Sequence, residues 1–365
     1  MTIEDLALTL LPQLGPRSIV QLMEYFGTAA TLFARSAAEL TEAGIAEPTV
    51  RAIRERTTFA AAEAELLKME RYGIRAVAAT DADYPPLLAE CGDQPHVLFY
   101  QGNIAPLAGR TLSVVGTRTM TPYGGRMTNR LIGELGEALP DLSVVSGLAF
   151  GVDAEAHQAA IKAGLHTAAF LPSPVSKVTP SGHKQLAEQI LASGGALLSE
   201  YPSFAVGRGN FYIPRNRLIA GASQGTLVVE SPAKGGSLHT ADMAWGYQRA
   251  VMALPGRVGD RSSEGTNHLI ATRRAAMVCS AADIICEVGW DIEARPVRVA
   301  AEECGPTLTN DENSLLRCFG EGESLGIDTL VERSGMGVAS VNALLVGLEI
   351  AGVVRSLPGG RYERV

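Results

Sequence analysis

The sequence predicts an α/β fold: a Rossmann-like, doubly wound parallel sheet with a helical domain before it and a winged helix after it. Three observations support this prediction. Short apolar runs alternate with helical patterns from residue 111 to about 288, which is typical of right-handed crossovers in a parallel sheet. The apolar runs are continuous, as expected where helices cover both faces of a sheet. The segments on either side lack this alternation.

Residues 1–78 are predicted to form a helical domain, because apolar residues recur at helical spacing in 6–11, 19–26 and 61–69. The turn Leu14-Gly15-Pro16-Arg17 resembles that of a helix-hairpin-helix or sterile-alpha-motif (SAM) unit, whose backbone amides can meet DNA phosphates. The alternative is a plain helical bundle used for protein contact. The net charge of −6 over residues 1–109 favours that alternative.

Residues 79–290 are predicted to form the sheet domain. A short strand is predicted at 97–100, and the strands of the alternating region are predicted at 111–116, 142–146, 167–171, 196–200, 226–230, 250–254 and 276–279. Its predicted helices are 124–138, 152–163, 184–193, 214–222, 237–248, 266–274 and 280–287. Because the carboxyl ends of parallel strands meet at one edge of a sheet, the turns that follow these strands are expected to converge there.

Residues 291–306 are predicted to be a linker, and residues 307–365 a winged helix of three helices (311–319, 325–332 and 337–350) and a Gly-tipped hairpin. The third helix of this fold normally enters the major groove of DNA. Here it has no Lys or Arg, and residues 306–365 carry a net charge of −3. We therefore expect this domain to contact a protein, or its own core domain, rather than to recognise a DNA sequence.

Composition narrows the function classes. The 365 residues are 46% hydrophobic and 19% charged, which is enough for two or three folded domains. No apolar run approaches the roughly 18 residues of a membrane span, and the acidic start lacks the basic residues of a signal peptide. A cytoplasmic protein with no membrane partner is expected. The five scattered cysteines show no CxxC spacing, so no metal site is expected: Cys91, Cys279, Cys286, Cys304 and Cys318.

The overall charge of −8 is unevenly distributed. Residues 110–290 carry a net charge of +3, whereas the remainder is acidic. Positive charge is thus concentrated in the segment that holds the Gly-rich turns. An acidic chain with one basic groove suits a binder with a local footprint on an anionic polymer.

Two turns follow the first two predicted strands. Gly116 permits a tight turn close to an anion, Thr117 follows it, and Arg118 supplies a planar donor fork for phosphate. Ser146, Gly147 and Ala149 repeat the arrangement one strand later. The GxGxxG fingerprint is missing, which argues against NAD and FAD, and no cofactor is expected.

Asp153 and His157 lie four residues apart on one predicted helical face. They could be a metal or acid–base pair. The favoured interpretation is an Asp at a helix N-terminus beside a hydrogen-bonded core His, since no third ligand is in view.

The stretch from Phe211 to Arg217 is the most specific of the turns. Pro214 is predicted to start a helix, which would place Arg215, Asn216 and Arg217 in its first turn. Two arginines there oppose the helix dipole, so they favour a functional role in anion binding. Phe211, with the neighbouring tyrosine, would add a stacking surface for a base.

The last turn comprises Gly235, Gly236 and Ser237. Ser237 is predicted to be the N-cap of a helix, and the two glycines allow close approach of the backbone to a phosphate. A catalytic triad of Ser237, His239 and Asp242 is rejected, because residues so close in one helical turn cannot act in sequence on one substrate.

Taken together, these turns resemble the DprA/Smf family of DNA-processing proteins. The resemblance is carried, in order, by the segments VVGTRTMTPYG, VSGLAFGVDAEAHQAAI, LLSEYP, IPRNRLIAGAS, GGSLHTADMA and LPG. It covers residues 80–290 densely. It implies a protein that binds single-stranded DNA without sequence preference, protects incoming strands in natural transformation and helps to load RecA. It also implies a homodimer formed through the Rossmann-like domain and no enzymatic activity.

The resemblance places the family's DNA-binding turns on Gly116–Arg118, on Ser146, Gly147 and Ala149, on Arg215–Arg217 and on Gly235–Ser237. Two stretches depart from the family pattern. Residues 171–180 replace its usual Gly-rich loop, although Lys184 keeps a basic group nearby, and Phe150 replaces its usual arginine. The alternative is a nucleotide phosphoribohydrolase of the lysine-decarboxylase-like group, whose PGGxGTxxE signature is not found.

Overall fold

The computed structural model describes residues 1–203, 211–291, 309–320, 323–350, 353–357 and 360–364. The chain divides into two compact units, Met1–Ile292 and Glu293–Val365. The predicted linker at 291–306 lies almost wholly outside the described residues. No helix in the described ranges is both long and apolar enough to cross a membrane.

Six helices begin the first unit. They are α1 (Ile3–Thr9), α2 (Pro16–Phe26), α3 (Ala29–Ala34), α4 (Ala37–Glu42), α5 (Glu47–Arg54) and α6 (Phe59–Tyr72). Capping boxes at Thr2 and Ser36 start α1 and α4, and Pro16 is the first residue of α2, all of which satisfy or remove free N–H groups. The helical prediction is confirmed.

The N-terminal helices share a hydrophobic core with the sheet that follows. Leu6 and Ile53 belong to the same buried cluster as Phe99, Leu171 and Leu197. The buried Glu65 of α6 accepts hydrogen bonds from the backbone N–H and the hydroxyl of Ser203, each 2.6 Å long. The division at residue 78 stays a prediction, and apolar packing connects the segments on either side of it.

A nine-stranded sheet forms the centre of the first unit. Its strands are β1 (Arg75–Ala78), β2 (Val97–Gly102), β3 (Thr111–Val115), β4 (Ser143–Ser146), β5 (His166–Phe170), β6 (Ala196–Ser199), β7 (Gly225–Val228), β8 (Ala250–Ala253) and β9 (Ala276–Met277). Their order is β1-β2-β6-β5-β4-β3-β7-β8-β9. The seven strands from β3 to β9 are parallel, whereas β1 and β2 add an antiparallel edge.

Helices cover both faces of this sheet. They are α7 (Pro86–Ala89), α8 (Pro122–Ala138), α9 (Val152–Lys162), α10 (Lys184–Ala192), α11 (Tyr212–Gly221), α12 (Gly236–Gly246), α13 (Glu264–Ala271) and α14 (Ala281–Val288). In β3, Leu112 and Val114 pack in the cluster that contains residues of α8 and α9. Val115 instead packs in the cluster that contains residues of α11 and α12. The predicted doubly wound fold is confirmed.

The direction of winding reverses between β3 and β7. From β3 the chain proceeds through β4 and β5 to β6, and then returns to place β7 on the other side of β3. In open α/β sheets, ligands bind at the carboxyl ends of the two strands that flank such a reversal.

The second unit contains α15 (Asn310–Leu316), β10 (Ser324–Gly326), α16 (Ile327–Ser334), α17 (Val338–Ile350), β11 (Val354–Leu357) and β12 (Arg361–Arg364). The three strands pair in the order β10-β12-β11. Leu315, Leu330 and Leu345, one from each helix, are fully buried in its core. The winged-helix prediction is confirmed, with β10 as an additional strand.

One predicted element boundary matters for the site. Helix α11 begins at Tyr212, with Phe211 as its N-cap, and not at Pro214. Arg215 and Arg217 are therefore the fourth and sixth residues of α11 and lie beyond its first turn, so the prediction that they oppose the helix dipole there is wrong.

Candidate nucleic-acid interface

A cavity of about 310 Å³ lies where the winding reverses, and we call it the switch-point cavity. Nine predicted site residues line it: Gly116, Thr117, Arg118, Ala149, Arg215, Asn216, Gly235, Gly236 and Ser237. Its described lining does not include Ser146, Gly147, Lys184, Phe211 or Arg217. The structure thus brings together the turns after β3 and β7 and the first half of α11.

The turn after β3 is held against the end of β7. The backbone N–H of Thr117 donates to the Glu230 carbonyl at 2.7 Å. A Cβ at Gly116 would lie 2.5 Å from Val152 Cγ2 and 2.9 Å from the Glu230 carbonyl oxygen, so only glycine fits. This packing fixes the backbone from which Arg118 projects.

Arg118 is exposed at the mouth of the cavity. Its guanidinium lies 4.7 Å from the centre of the Tyr212 ring, a cation–π contact. Within the described part of the chain it makes no hydrogen bond or ion pair. Tyr212 therefore orients the guanidinium while leaving its donors available to an anion.

Arg215, by contrast, is 2% exposed. Its Nη1 donates to the carbonyl oxygens of Gly147, at 2.6 Å, and Phe170. A Cβ at Gly147 would lie 2.5 Å from Nη2 of this guanidinium, so Gly147 is needed for the close approach. Arg215 joins the carboxyl ends of β4 and β5 to α11, which determines the shape of the cavity wall.

The charge of Arg215 lies in the field of the buried Asp153. Burial raises the pKa of Asp153 and lowers the pKa of Arg215 to about 10, and each charge opposes the shift of the other. The backbone N–H of Ala149 donates to Asp153 at 3.4 Å. Asp153 thus helps to compensate the buried cation.

His157 is fully buried and bonded to the hydroxyl of Thr167, with 2.7 Å between Nδ1 and Oγ1. Burial lowers the pKa of His157 to about 3, so it is a neutral core residue. The described residues contain no cluster of three or more groups that could hold a metal. Of the two interpretations of Asp153 and His157, the geometry supports the structural one.

Arg217 lies outside the described cavity lining and forms a buried ion pair with Glu200. Burial raises the pKa of Glu200, an effect that the charge of Arg217 opposes. Phe211 packs on Tyr201, with 4.8 Å between ring centres. The predicted contacts of Arg217 and Phe211 with DNA stay predictions, while the structure gives both side chains partners within the protein.

The turn after β7 is closed by two serines. Ser237 donates to Ser231 across 2.9 Å between hydroxyl oxygens, and a Cβ at Gly235 would overlap the Ser231 oxygen. The N-cap of α12 is Gly235, which makes no side-chain cap bond, so the prediction of Ser237 as N-cap is wrong. Helix α12 thus presents its first turn to the cavity, and nothing lies within 4 Å of a Cβ built at Gly236.

The remaining predicted residues lie around this core. Ser146 is buried and donates to the Val114 carbonyl at 2.7 Å, which connects β4 to β3. Lys184 is exposed at the start of α10. The neighbouring His183 packs edge-on against Phe150, with 4.4 Å between ring centres. Phe150, which replaces the usual arginine of the family pattern, is therefore a half-exposed aromatic surface.

Sequence reasoning missed Glu230. This carboxylate is 1% exposed and accepts hydrogen bonds from the backbone N–H (2.9 Å) and the hydroxyl (2.5 Å) of Thr121, the N-cap of α8. The sequence does show a glutamate at the end of an apolar strand, and that was the signal by which Glu230 could have been found. Glu230 stabilises the start of α8 only because α8 begins beside β7, and no local sequence pattern shows that proximity.

The fold and the cavity define a Rossmann-like α/β protein with a candidate ligand site at the point where the winding of the sheet reverses. The family model of DNA recombination-mediator protein A matches residues 75–289, and that of the DprA winged helix domain matches residues 299–360. The chain belongs to this DprA/Smf family.

Curated relatives and solved structures agree with the assignment. Protein Smf of Escherichia coli is 33% identical over 309 residues, which cover 83% of this chain and 80% of the relative. The structure of DNA processing protein A from Streptococcus pneumoniae has a TM-score of 0.67 at 30% identity and covers 79% of this chain and 98% of its own. The Helicobacter pylori structure described for its single-stranded DNA binding mode has a TM-score of 0.52 at 27% identity and covers 58% of this chain and 94% of its own.

Proposed function

We propose that this protein binds single-stranded DNA without sequence preference, protects incoming strands during natural transformation and helps to load RecA. It acts in the cytoplasm, as a homodimer formed through the Rossmann-like domain, and without catalysis. The Helicobacter pylori relative, described as binding single-stranded DNA, supports the ligand. The observation that carries the proposal is the exposed guanidinium of Arg118, held by Tyr212 at the mouth of the switch-point cavity.

The cavity suits a phosphate of a flexible strand. Arg118 offers a donor fork that matches phosphate geometry, and the first turn of α12 adds unpaired N–H groups and the positive end of the helix dipole. Gly236 leaves this helix end open to a ligand. A recess of about 310 Å³ at the edge of the sheet can admit part of a single strand, whereas a duplex is too wide to enter it.

Lack of sequence preference follows from the same groups. Arg118 and the backbone N–H groups meet phosphates, which carry no sequence information. Aromatic rings near the site, such as Tyr212 and Phe150, provide faces on which any base can stack. Neither contact distinguishes one base from another.

The alternative, a nucleotide phosphoribohydrolase, needs a carboxylate presented to the substrate. Asp153 is the carboxylate in the described lining, and it is buried beside Arg215. Asp242, further along α12, is paired with Arg274 at 2.8 Å. Neither arrangement favours hydrolysis.

The test is a titration with single- and double-stranded oligonucleotides of the same sequence at two salt concentrations, together with an assay for free base released from nucleoside monophosphates. We expect tighter binding to the single strand, strong salt dependence and no base release. Equal affinity for a blunt duplex would contradict the proposed strand preference. Base release that depends on Asp153 would favour the hydrolase.

A further inference from the structure

A second and larger cavity, of about 870 Å³, lies at the same edge of the sheet. Three arginines line it: Arg126 of α8, and Arg257 and Arg261 of the loop after β8. All three are exposed. We call it the arginine cavity.

The three guanidinium groups have no partners within the described residues. None of them makes a hydrogen bond, an ion pair or a ring contact there. Long cationic side chains that converge without partners keep all their donors for a ligand. This distinguishes them from Arg215, whose Nη1 donates to two carbonyl oxygens, and from Arg217, which forms an ion pair with Glu200.

Two carboxylates also line the arginine cavity, Glu230 and Asp260. Glu230 is buried and accepts hydrogen bonds from Thr121 at the start of α8. It thereby occupies the N-terminal end of α8, so attraction for an anion here comes from the arginines. Asp260 is exposed and lies outside ion-pair distance of all three arginines. The cavity is thus lined by three arginines and two carboxylates, and one of the carboxylates, Glu230, is already hydrogen-bonded to Thr121.

The two cavities are separated by two adjoining backbone segments. In the segment after β7, Glu230 lines the arginine cavity and Pro232 lines the switch-point cavity. In the turn after β3, Thr121 lines the arginine cavity and Thr117 lines the switch-point cavity. The Gly265 backbone N–H donates to the Ser231 carbonyl at 2.8 Å, which holds the dividing wall in place.

We propose that the arginine cavity is a second phosphate-binding site, which holds the backbone of the same DNA strand after it leaves the switch-point cavity past Arg118. This inference rests on the proposed function. The aromatic residue in its described lining is Tyr123, whose hydroxyl donates to the Pro255 carbonyl at 2.9 Å. The cavity therefore recognises phosphates rather than bases, and it adds affinity only when the strand is long enough to reach it.

The test compares the full-length protein with the triple variant Arg126→Ala/Arg257→Ala/Arg261→Ala in titrations with oligothymidylates of increasing length. The wild type is expected to show a salt dependence that steepens with length. For long strands the variant should lose about 2 units of that slope, because each phosphate neutralised on a single strand contributes about 0.7. For the shortest strand that binds, the two proteins should have equal affinity.

The matched control is Arg51→Ala/Arg54→Ala/Arg71→Ala, which removes the same charge from exposed positions on the N-terminal helices. It should behave like the wild type at every length, and thermal unfolding should show that both variants are folded. An unchanged slope in the cavity variant for long strands would overturn the inference. An equal loss at every length, or an equal loss in the control, would also overturn it. A wild type that binds no oligothymidylate of any length would instead refute the proposed function.

Discussion

Arg118 on the turn after β3 and Arg215 on α11 line the same cavity, yet their guanidinium groups are in opposite states. Arg118 is exposed and stacks on Tyr212. Arg215 is 2% exposed and donates to two carbonyl oxygens. An arginine that stands out in the sequence can contact a ligand only where the fold leaves its N–H donors without partners inside the protein. Where those donors are used inside the protein, as in Arg215, the arginine instead stabilises the structure around the site.

The largest expected effect is that of Arg215→Ala on stability. Its removal leaves two buried carbonyls without donors and Asp153 without its cation, so the free energy of unfolding should fall by about 3–5 kcal/mol. Arg215→Lys should recover only part of this, because one ammonium cannot reproduce the planar fork. Tryptophan fluorescence during denaturant unfolding measures the loss, since Trp245 and Trp290 both lie in the first unit. Stability within about 0.5 kcal/mol of wild type would contradict the assigned role.

The second prediction concerns the buried pair of Arg217 and Glu200. Arg217→Met alone should lower the free energy of unfolding of the first unit by about 3 kcal/mol, because it leaves the buried Glu200 carboxylate without its cation. Adding Glu200→Met should restore much of the lost stability. Affinity for single-stranded DNA, measured where each variant is folded, should change little. Normal stability with weakened DNA binding would instead favour the contact of Arg217 with phosphate that the sequence predicts.

The third prediction isolates the exposed member of the comparison. Arg118→Ala should leave the unfolding free energy unchanged and weaken single-strand binding by roughly tenfold, on the order of 1.4 kcal/mol. The salt slope should fall by about 0.7, because one phosphate contact is lost. The effect should be the same for every sequence tested. Tyr212→Leu is a useful companion, since it removes the ring beneath the guanidinium but no charge. If Arg118→Ala bound single-stranded DNA as tightly as the wild type, the proposal that DNA binds at the switch-point cavity would be wrong.

The smallest effect is expected from the second unit, where three of the five arginines that the structure describes are engaged within the protein. Arg333 pairs with Glu323 at 2.8 Å and Arg355 with Glu363 at 2.9 Å, while Arg361 donates to the Ser324 carbonyl. A chain ending near residue 300 should bind single-stranded DNA within about threefold of full length, on the order of 0.6 kcal/mol. Its unfolding, followed by the two tryptophans, serves as the control for folding. A hundredfold loss would place the winged helix on the DNA.

Much of the fold could be predicted from the sequence, because it depends on patterns formed by residues that are close together in the chain. The alternation of apolar runs and helical patterns predicted all seven parallel strands within a few residues, because burial on both faces requires continuous apolar segments. The Gly-rich turns were expected at one sheet edge, because parallel strands end together. Nine of the predicted site residues do line one cavity there. These features depend on residues that are close in sequence, so composition and spacing reveal them.

Only the tertiary structure decided which charged groups remain available. Arg215 and Arg217 stand two residues apart in a motif that resembles a phosphate site, but the fold pairs them with Phe170 and Glu200, which lie on β5 and just after β6. Glu230 meets Thr121 in the same way, across 109 positions. Arg118, Arg126, Arg257 and Arg261 are left without ionic partners among the described residues, although nothing local distinguishes them. The sequence by itself determined that the turns after the parallel strands meet at one edge of the sheet. Long-range packing determined which of their charges are neutralised, because a buried charge must be paired whereas an exposed one need not be.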